Sequence, residues 1–175
     1  MAAMSTSDEL PFTVTLEVRD RCLCLHVQRA ARALARRFDE ALRPFGLTSG
    51  QFSLLMSLNR AAPPTVGEVA QLLAMDRTTL TANLKPLERR KLLEIAVDEK
   101  DRRNRGLKIT AVGRRTLAAA TGVWRSTHDA LDKLLSRSPD LLREDLSKLL
   151  QHEARPLGAA EPRSAQRKRV SSKAE

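Results

Sequence analysis

Tyrosine is absent from this 175-residue chain, and four phenylalanines and one tryptophan supply all of its aromatic surface. Folds that read unpaired bases by stacking them on aromatic platforms are therefore poor candidates. Two cysteines cannot build a disulfide scaffold or a four-thiolate zinc site, and seven glycines leave little material for phosphate-cradling loops. Long apolar runs are missing as well. The first sixteen residues, MAAMSTSDELPFTVTL, lack the basic start and apolar stretch of an export signal. No other segment approaches the roughly 20 apolar residues of a spanning helix. The expectations that follow are a cytoplasmic protein with no membrane partner and no cofactor.

Positive charge is what the chain has in excess. Its 31 Lys and Arg outweigh 21 Asp and Glu, for a formal charge of +10, and apolar residues at 42% suffice for a core. Such a balance points to a polyanionic partner, and after the exclusions above double-stranded DNA fits best.

Apolar periodicity divides the chain. Leu23, Val27, Ala30, Leu34, Phe38, Ala41 and Phe45 recur at helical spacing, which predicts one long helix from Glu17 to Phe45, ended by Pro44 and Gly46. Thr48-Ser-Gly-Gln51 and Thr65-Val-Gly-Glu68 have capping-box spacing and open two further helices. After a short connection Asp76 is the expected N-cap of a third helix reaching Arg90. Leu92–Val97 and Gly106–Ile109 read as strands around the charged loop from Asp98 to Arg105, a hairpin placed where a wing would be. A long helix from Thr110 carries Leu117, Ala120, Trp124, Leu131 and Leu135 on one face, and Ser138-Pro139 opens a last helix with Leu142, Leu146, Leu149 and Leu150. The tail ARPLGAAEPRSAQRKRVSSKAE, with six basic and two acidic residues, supports no packed structure.

The run DRTTLTANLKPLERRKLLEIAVDEKDRRNRGLKITAVGRRTL from Asp76 to Leu117 resembles the MarR family of bacterial winged-helix transcriptional regulators. The matching pieces are Thr79-Leu80-Thr81, Leu84 to Leu87 with Glu88-Arg89, Asp98-x-x-Asp101-x-Arg103, and Leu107-x-x-Thr110 with Gly113; Gly46-Leu47-Thr48, Gln51-Phe52, Val69-Ala70 and Leu73 fit upstream. The resemblance covers roughly Leu23 to Leu150. It implies a mainly α fold with a small β-hairpin wing: a winged helix-turn-helix over 47–109, flanked by helical dimerisation segments over 17–46 and 110–152. A flexible arm over 1–16 and a disordered basic tail over 153–175 complete the expected organisation. Two residues depart from the pattern. Lys91 stands where a glycine usually closes the recognition helix, and Pro86 lies inside that helix, where a bend is expected.

On the third helix Leu80, Leu84 and Leu87 share the core face, which leaves Thr78, Thr81, Ala82, Lys85 and Arg89 opposite. Hydroxyls and a methyl suit base edges near the helix start, and cations suit phosphates further along; Arg77 reaches either, and Thr65 joins this set. By itself this face reads equally well as an ordinary solvated one. The adjoining wing tips the reading toward DNA, because Arg102, Arg103 and Arg105 would repel one another without an anionic partner. The resemblance gives Arg103 the minor-groove contact; Asp101, two residues before it, can hold that guanidinium in place or fix the turn, and Arg102 and Arg105 read as phosphate clamps. Phe52 and Trp124 are candidate walls of an effector pocket. Cys24 falls where the organic-hydroperoxide-sensing branch of the family carries its reactive cysteine, but that branch activates the thiolate with tyrosines. A small packed core residue is therefore the preferred reading of Cys24. Cys22 and His26 share i, i+4 spacing but lack a convincing third ligand, so no metal site is expected.

The expected function is that of a non-enzymatic, homodimeric repressor that recognises an inverted-repeat operator and is released by a small effector. A cysteine-based redox regulator and a winged-helix protein-interaction module are the alternatives.

Overall fold

In the computed structural model residues 10–97 and 105–152 are described, and the chain divides between His128 and Asp129 into two compact units. The first unit begins with α1 (Phe12–Arg21) and α2 (Leu23–Leu42), where the sequence pattern predicts a single helix from Glu17. Helix α1 thus begins inside the segment over 1–16 expected as a flexible arm. Pro11 precedes α1 in an extended conformation, and Arg21 pairs with Glu17 one turn earlier at 2.6 Å. The two helices part at Cys22, which is extended (φ −71°, ψ 101°) and serves as N-cap of α2, its Sγ accepting from the Leu25 amide at 3.4 Å.

A 3-10 turn over Arg43–Phe45 closes α2, and Gly46 follows in the left-handed region at φ 66°. Then come α3 (Ser49–Ser57), α4 (Val66–Leu72) and α5 (Arg77–Arg89). Both anticipated capping boxes form: Thr48 with Gln51 and Thr65 with Glu68 each exchange the reciprocal side-chain to backbone bonds. Asp76 caps α5 by accepting from the Thr79 amide at 2.8 Å. Helix α5 continues through Pro86 and ends at Arg89 without the expected glycine, because Lys91 itself takes the left-handed conformation at φ 57°. The amides of Lys91 and Leu92 then bond to the carbonyls of Glu88 and Leu87, the double closure of a Schellman cap. Ala74 repeats the motif between α4 and α5, at φ 49°, with Met75 N–H bonded to Ala70.

Strands β1 (Leu93–Val97) and β2 (Arg105–Ile109) pair antiparallel from Leu93 opposite Ile109 to Val97 opposite Arg105. Helix α6 (Ala111–Asp132) follows. Its first turn is tied to the end of the recognition segment through Thr110, whose hydroxyl donates to the Lys91 carbonyl at 2.7 Å and accepts from the Gly113 amide at 3.0 Å. Leucines dominate the core, with Leu42, Leu55, Leu80, Leu87 and Leu107 fully buried. Leu23 and Leu34 of α2 are exposed instead.

The second unit contains the end of α6 and α7 (Pro139–His152), which starts at the proline as the sequence suggests. Leu135, expected on the α6 face, lies beyond the end of that helix. Arg143 of α7 pairs with Asp132 at 2.6 Å and with Asp140 at 2.9 Å, which raises its pKa, the Asp132 bond first. Leu141, Leu142, Leu146, Leu149 and Leu150 are all exposed on α7. Among the described residues no helix is long and apolar enough to cross a membrane.

Candidate nucleic-acid interface

Helix α5 is built with two unlike faces. Leu80, Leu84 and Leu87 are at most 1% exposed and anchor it to the core, while Thr78, Thr81, Ala82, Lys85, Arg89 and Arg77 stand exposed. Its start is rigid. Asp76 accepts from both the hydroxyl and the amide of Thr79, and these two bonds, hydroxyl first, hold its carboxyl below the usual range. A depressed pKa in the folded state means the cap is present at neutral pH and lost only as acid takes the pH down through that lowered value.

Not every hydroxyl on this face is free to donate. Thr81 donates to the Arg77 carbonyl at 2.7 Å, so toward a ligand it offers a methyl and an accepting oxygen only. Thr65 is committed further: its hydroxyl donates to Glu68 Oε2 at 3.0 Å and accepts from the Glu68 amide at 3.2 Å. The Thr65 amide also donates to Glu68, and these bonds, the backbone one first, lower the Glu68 pKa. The structure therefore uses Thr65 as a cap, with a carboxylate already at the α4 N-terminus.

The wing is fastened to this helix pair. The Leu107 amide donates to the Pro64 carbonyl at 2.8 Å, and Thr65 forms a bridge with Gly106, so the segment entering α4 extends the edge of β2. No local sequence signal announces that pairing. Asp101, Arg102 and Arg103 lie outside the described residues; Arg105 starts β2 opposite Val97. Arg77, one residue after the N-cap, reaches across to α4, where a Cβ placed on Gly67 would stand 3.1 Å from its Nη2. Arg90 donates to the Gly46 carbonyl at 2.6 Å, joining the end of the α5 segment to the turn that closes α2. Both arginines are visible in the sequence, but their partners are 10 and 44 residues away, beyond any local pattern.

Phe52 and Trp124 come together, stacked with centroids 5.9 Å apart, and His128 packs at 4.4 Å from Trp124 and 4.7 Å from Phe38. Phe52 is a buried core residue and Trp124 is partly exposed. The packed-core reading of Cys24 is overturned: the thiol is exposed and accepts from the Gln28 amide nitrogen at 3.1 Å. The cause is that this end of α2 packs against nothing among the described residues: Leu23, Val27 and Leu34 of the same helix are exposed as well. Cys22 and His26 do not form a helical pair of ligands, since Cys22 is the cap and the His26 ring nitrogen lies 2.9 Å from its carbonyl. No group of three His, Cys, Asp or Glu that could hold a metal occurs among the described residues.

A short helix, a left-handed turn, a second helix and a hairpin fastened back to the first define a winged helix-turn-helix protein. A family model described as the MarR family matches residues 45–104. Among solved structures, the Mycobacterium tuberculosis transcriptional regulator MosR in complex with DNA shares 34% identity over 76% of this chain and 96% of its own, with TM-score 0.70. The transcriptional repressor CouR, bound to a 23-mer DNA duplex, shares 31% identity over 85% of this chain and all of its own, with TM-score 0.64. The HTH-type transcriptional regulator YwoH of Bacillus subtilis, itself uncharacterised, is 36% identical over 69 residues, 39% of this chain. The matched stretch spans half the length of that curated relative. The chain belongs to the MarR family, whose members are transcriptional regulators and not enzymes.

Proposed function

We propose that this protein is a homodimeric repressor that recognises an inverted-repeat operator in double-stranded DNA. The observation that carries the reading is the exposed face of α5. Arg77, Lys85 and Arg89 lie there with no ion pair among the described residues, opposite leucines that fix the helix in place. Unneutralised cations on a rigid face next to small polar side chains suit phosphates and base edges of a groove. Arg102, Arg103 and Arg105 extend the contact through the wing, with Arg103 in the minor groove and Asp101 orienting it. The DNA complexes of MosR and CouR, and the description of CouR as a repressor, support the same reading.

Dimerisation is part of the proposal, because the leucines exposed on α7 and on α2 need cover and an inverted repeat needs two readers. Half-sites roughly 34 Å apart make binding sensitive to small changes in the distance between the two recognition helices. An effector that pries at the partly exposed Trp124 would alter that distance. Selection of bound sequences from random duplex DNA tests the reading. An enriched inverted repeat supports it, and failure to enrich any sequence sinks it in favour of a winged-helix module that contacts protein.

A second reading, regulation by thiol oxidation, is favoured by the exposure of Cys24 beside the helix break. Peroxide then releases the protein from its operator, and Cys24→Ser abolishes that release; release that persists in Cys24→Ser excludes the cysteine.

A further inference from the structure

Arg77 and Gly67 belong to different helices yet share one small space. The Arg77 guanidinium lies along the first turn of α4, where a Cβ on Gly67 would meet Nη2 at 3.1 Å, Cζ at 3.7 Å and the Thr65 hydroxyl oxygen at 3.8 Å. Gly67 does not have a positive φ, so backbone conformation does not require glycine there. A glycine inside a helix is less favourable than alanine. The residue that would strengthen a seven-residue helix is missing at the one place where its methyl would touch the arginine.

Arg77 is also electrically available. It is exposed, and no carboxylate pairs with it among the described residues; the nearby Glu68 carboxylate is taken by Thr65. A long side chain laid in a notch has given up rotamer freedom before any ligand arrives, which removes part of the entropy loss of binding.

We propose that Gly67 is a positioning residue for DNA recognition: its missing side chain makes the notch that presents the Arg77 guanidinium to a phosphate of the operator. The inference rests on the DNA-binding reading above and assigns within it a function to a residue that has no side chain of its own. A methyl at position 67 meets only the flexible end of Arg77, so the fold tolerates it while the guanidinium must give way and shift within its notch.

The test is a double-mutant cycle on the full-length protein, with Gly67→Ala, Arg77→Ala and the pair, titrated against the operator enriched from random duplexes. Gly67→Ala is expected to weaken binding roughly 2- to 12-fold, the range set by immobilising one flexible side chain. Its melting temperature should stay level or rise, which separates the effect from a loss of structure. In the Arg77→Ala background the same change should leave affinity unchanged. Parent-like affinity in Gly67→Ala overturns the proposal, and so does an equal loss in both backgrounds, which marks the methyl as a direct obstruction to DNA. If the parent protein enriches no duplex sequence, the DNA-binding reading itself has failed and the proposal falls with it.

Discussion

Gly113, in the first turn of α6, lies against the carbonyl of Leu92 at the entrance to β1, so close that any Cβ would overlap that oxygen and crowd Ile109. The obstacle is backbone at the root of the wing, held by the Thr110 amide, which donates to the same carbonyl at 3.1 Å. Gly113→Ala therefore forces the helix and the hairpin apart. A loss of about 1–3 kcal/mol is expected from overpacking of this kind, read as a lower urea midpoint. An unchanged midpoint would mean that the junction is not rigid.

Lys91 and Ala74 hold left-handed conformations that glycine adopts without strain. Relief of roughly 1–2 kcal/mol is offset by about 0.4–1 kcal/mol of added freedom in the unfolded chain. Lys91→Gly should therefore stabilise the protein by about 0.5–1 kcal/mol, and Ala74→Gly by a similar amount. Thermal unfolding of both single variants and the double variant checks this, and additivity is expected because the sites close different helices. A lower melting temperature in either single variant contradicts it.

These two positions also show why part of the fold escapes sequence reading. Thr48, Thr65 and Asp76 announce their helices because a cap is a local bargain between a side chain and an amide three residues on. The two strands and the wing position were legible from alternation between charged turns. Lys91 was not, since its conformation is imposed by Leu92 and Thr110 bonding into the hairpin root. The break at Cys22 was hidden for a different reason: no proline or glycine marks it, and helical periodicity runs through it without interruption. On the recognition face, exposure followed from the Leu80, Leu84, Leu87 spacing, but the bond of Thr81 back to Arg77 is a rotamer choice within α5, and the reach of Arg77 to Gly67 depends on geometry between elements.

Leu142 and Leu146 are 45% and 39% exposed on α7, one turn apart. Neither belongs to the buried core, so with both replaced by glutamate the protein should stay folded while self-association weakens. The parent is expected to sediment as a homodimer and the variant as a monomer at micromolar concentration. A variant that remains dimeric would move the interface away from this face.

Wing and helix should differ in how they respond to salt. Arg103→Ala removes a cation from the minor groove, where shape and potential rather than a unique base pattern are read, and should weaken binding by about 1–3 kcal/mol on every operator sequence, with a shallower salt slope. Thr78→Ala should leave the slope in place and alter preference at one or two base pairs per half-site. Parent-like binding by Arg103→Ala throughout a salt titration would remove the wing from the interface.

The bond from Leu107 to Pro64 and the bridge from Thr65 to Gly106 cover the flank of β2 that would otherwise stand open. A strand guarded in this way offers no template for another molecule to pair with along that side. The residues between Val97 and Arg105 are then a replaceable cartridge: their number and charge can be exchanged while the seat stays shut. Libraries varied between Val97 and Arg105 should stay dispersed in solution, making this segment the safest place to retune how tightly the protein holds DNA.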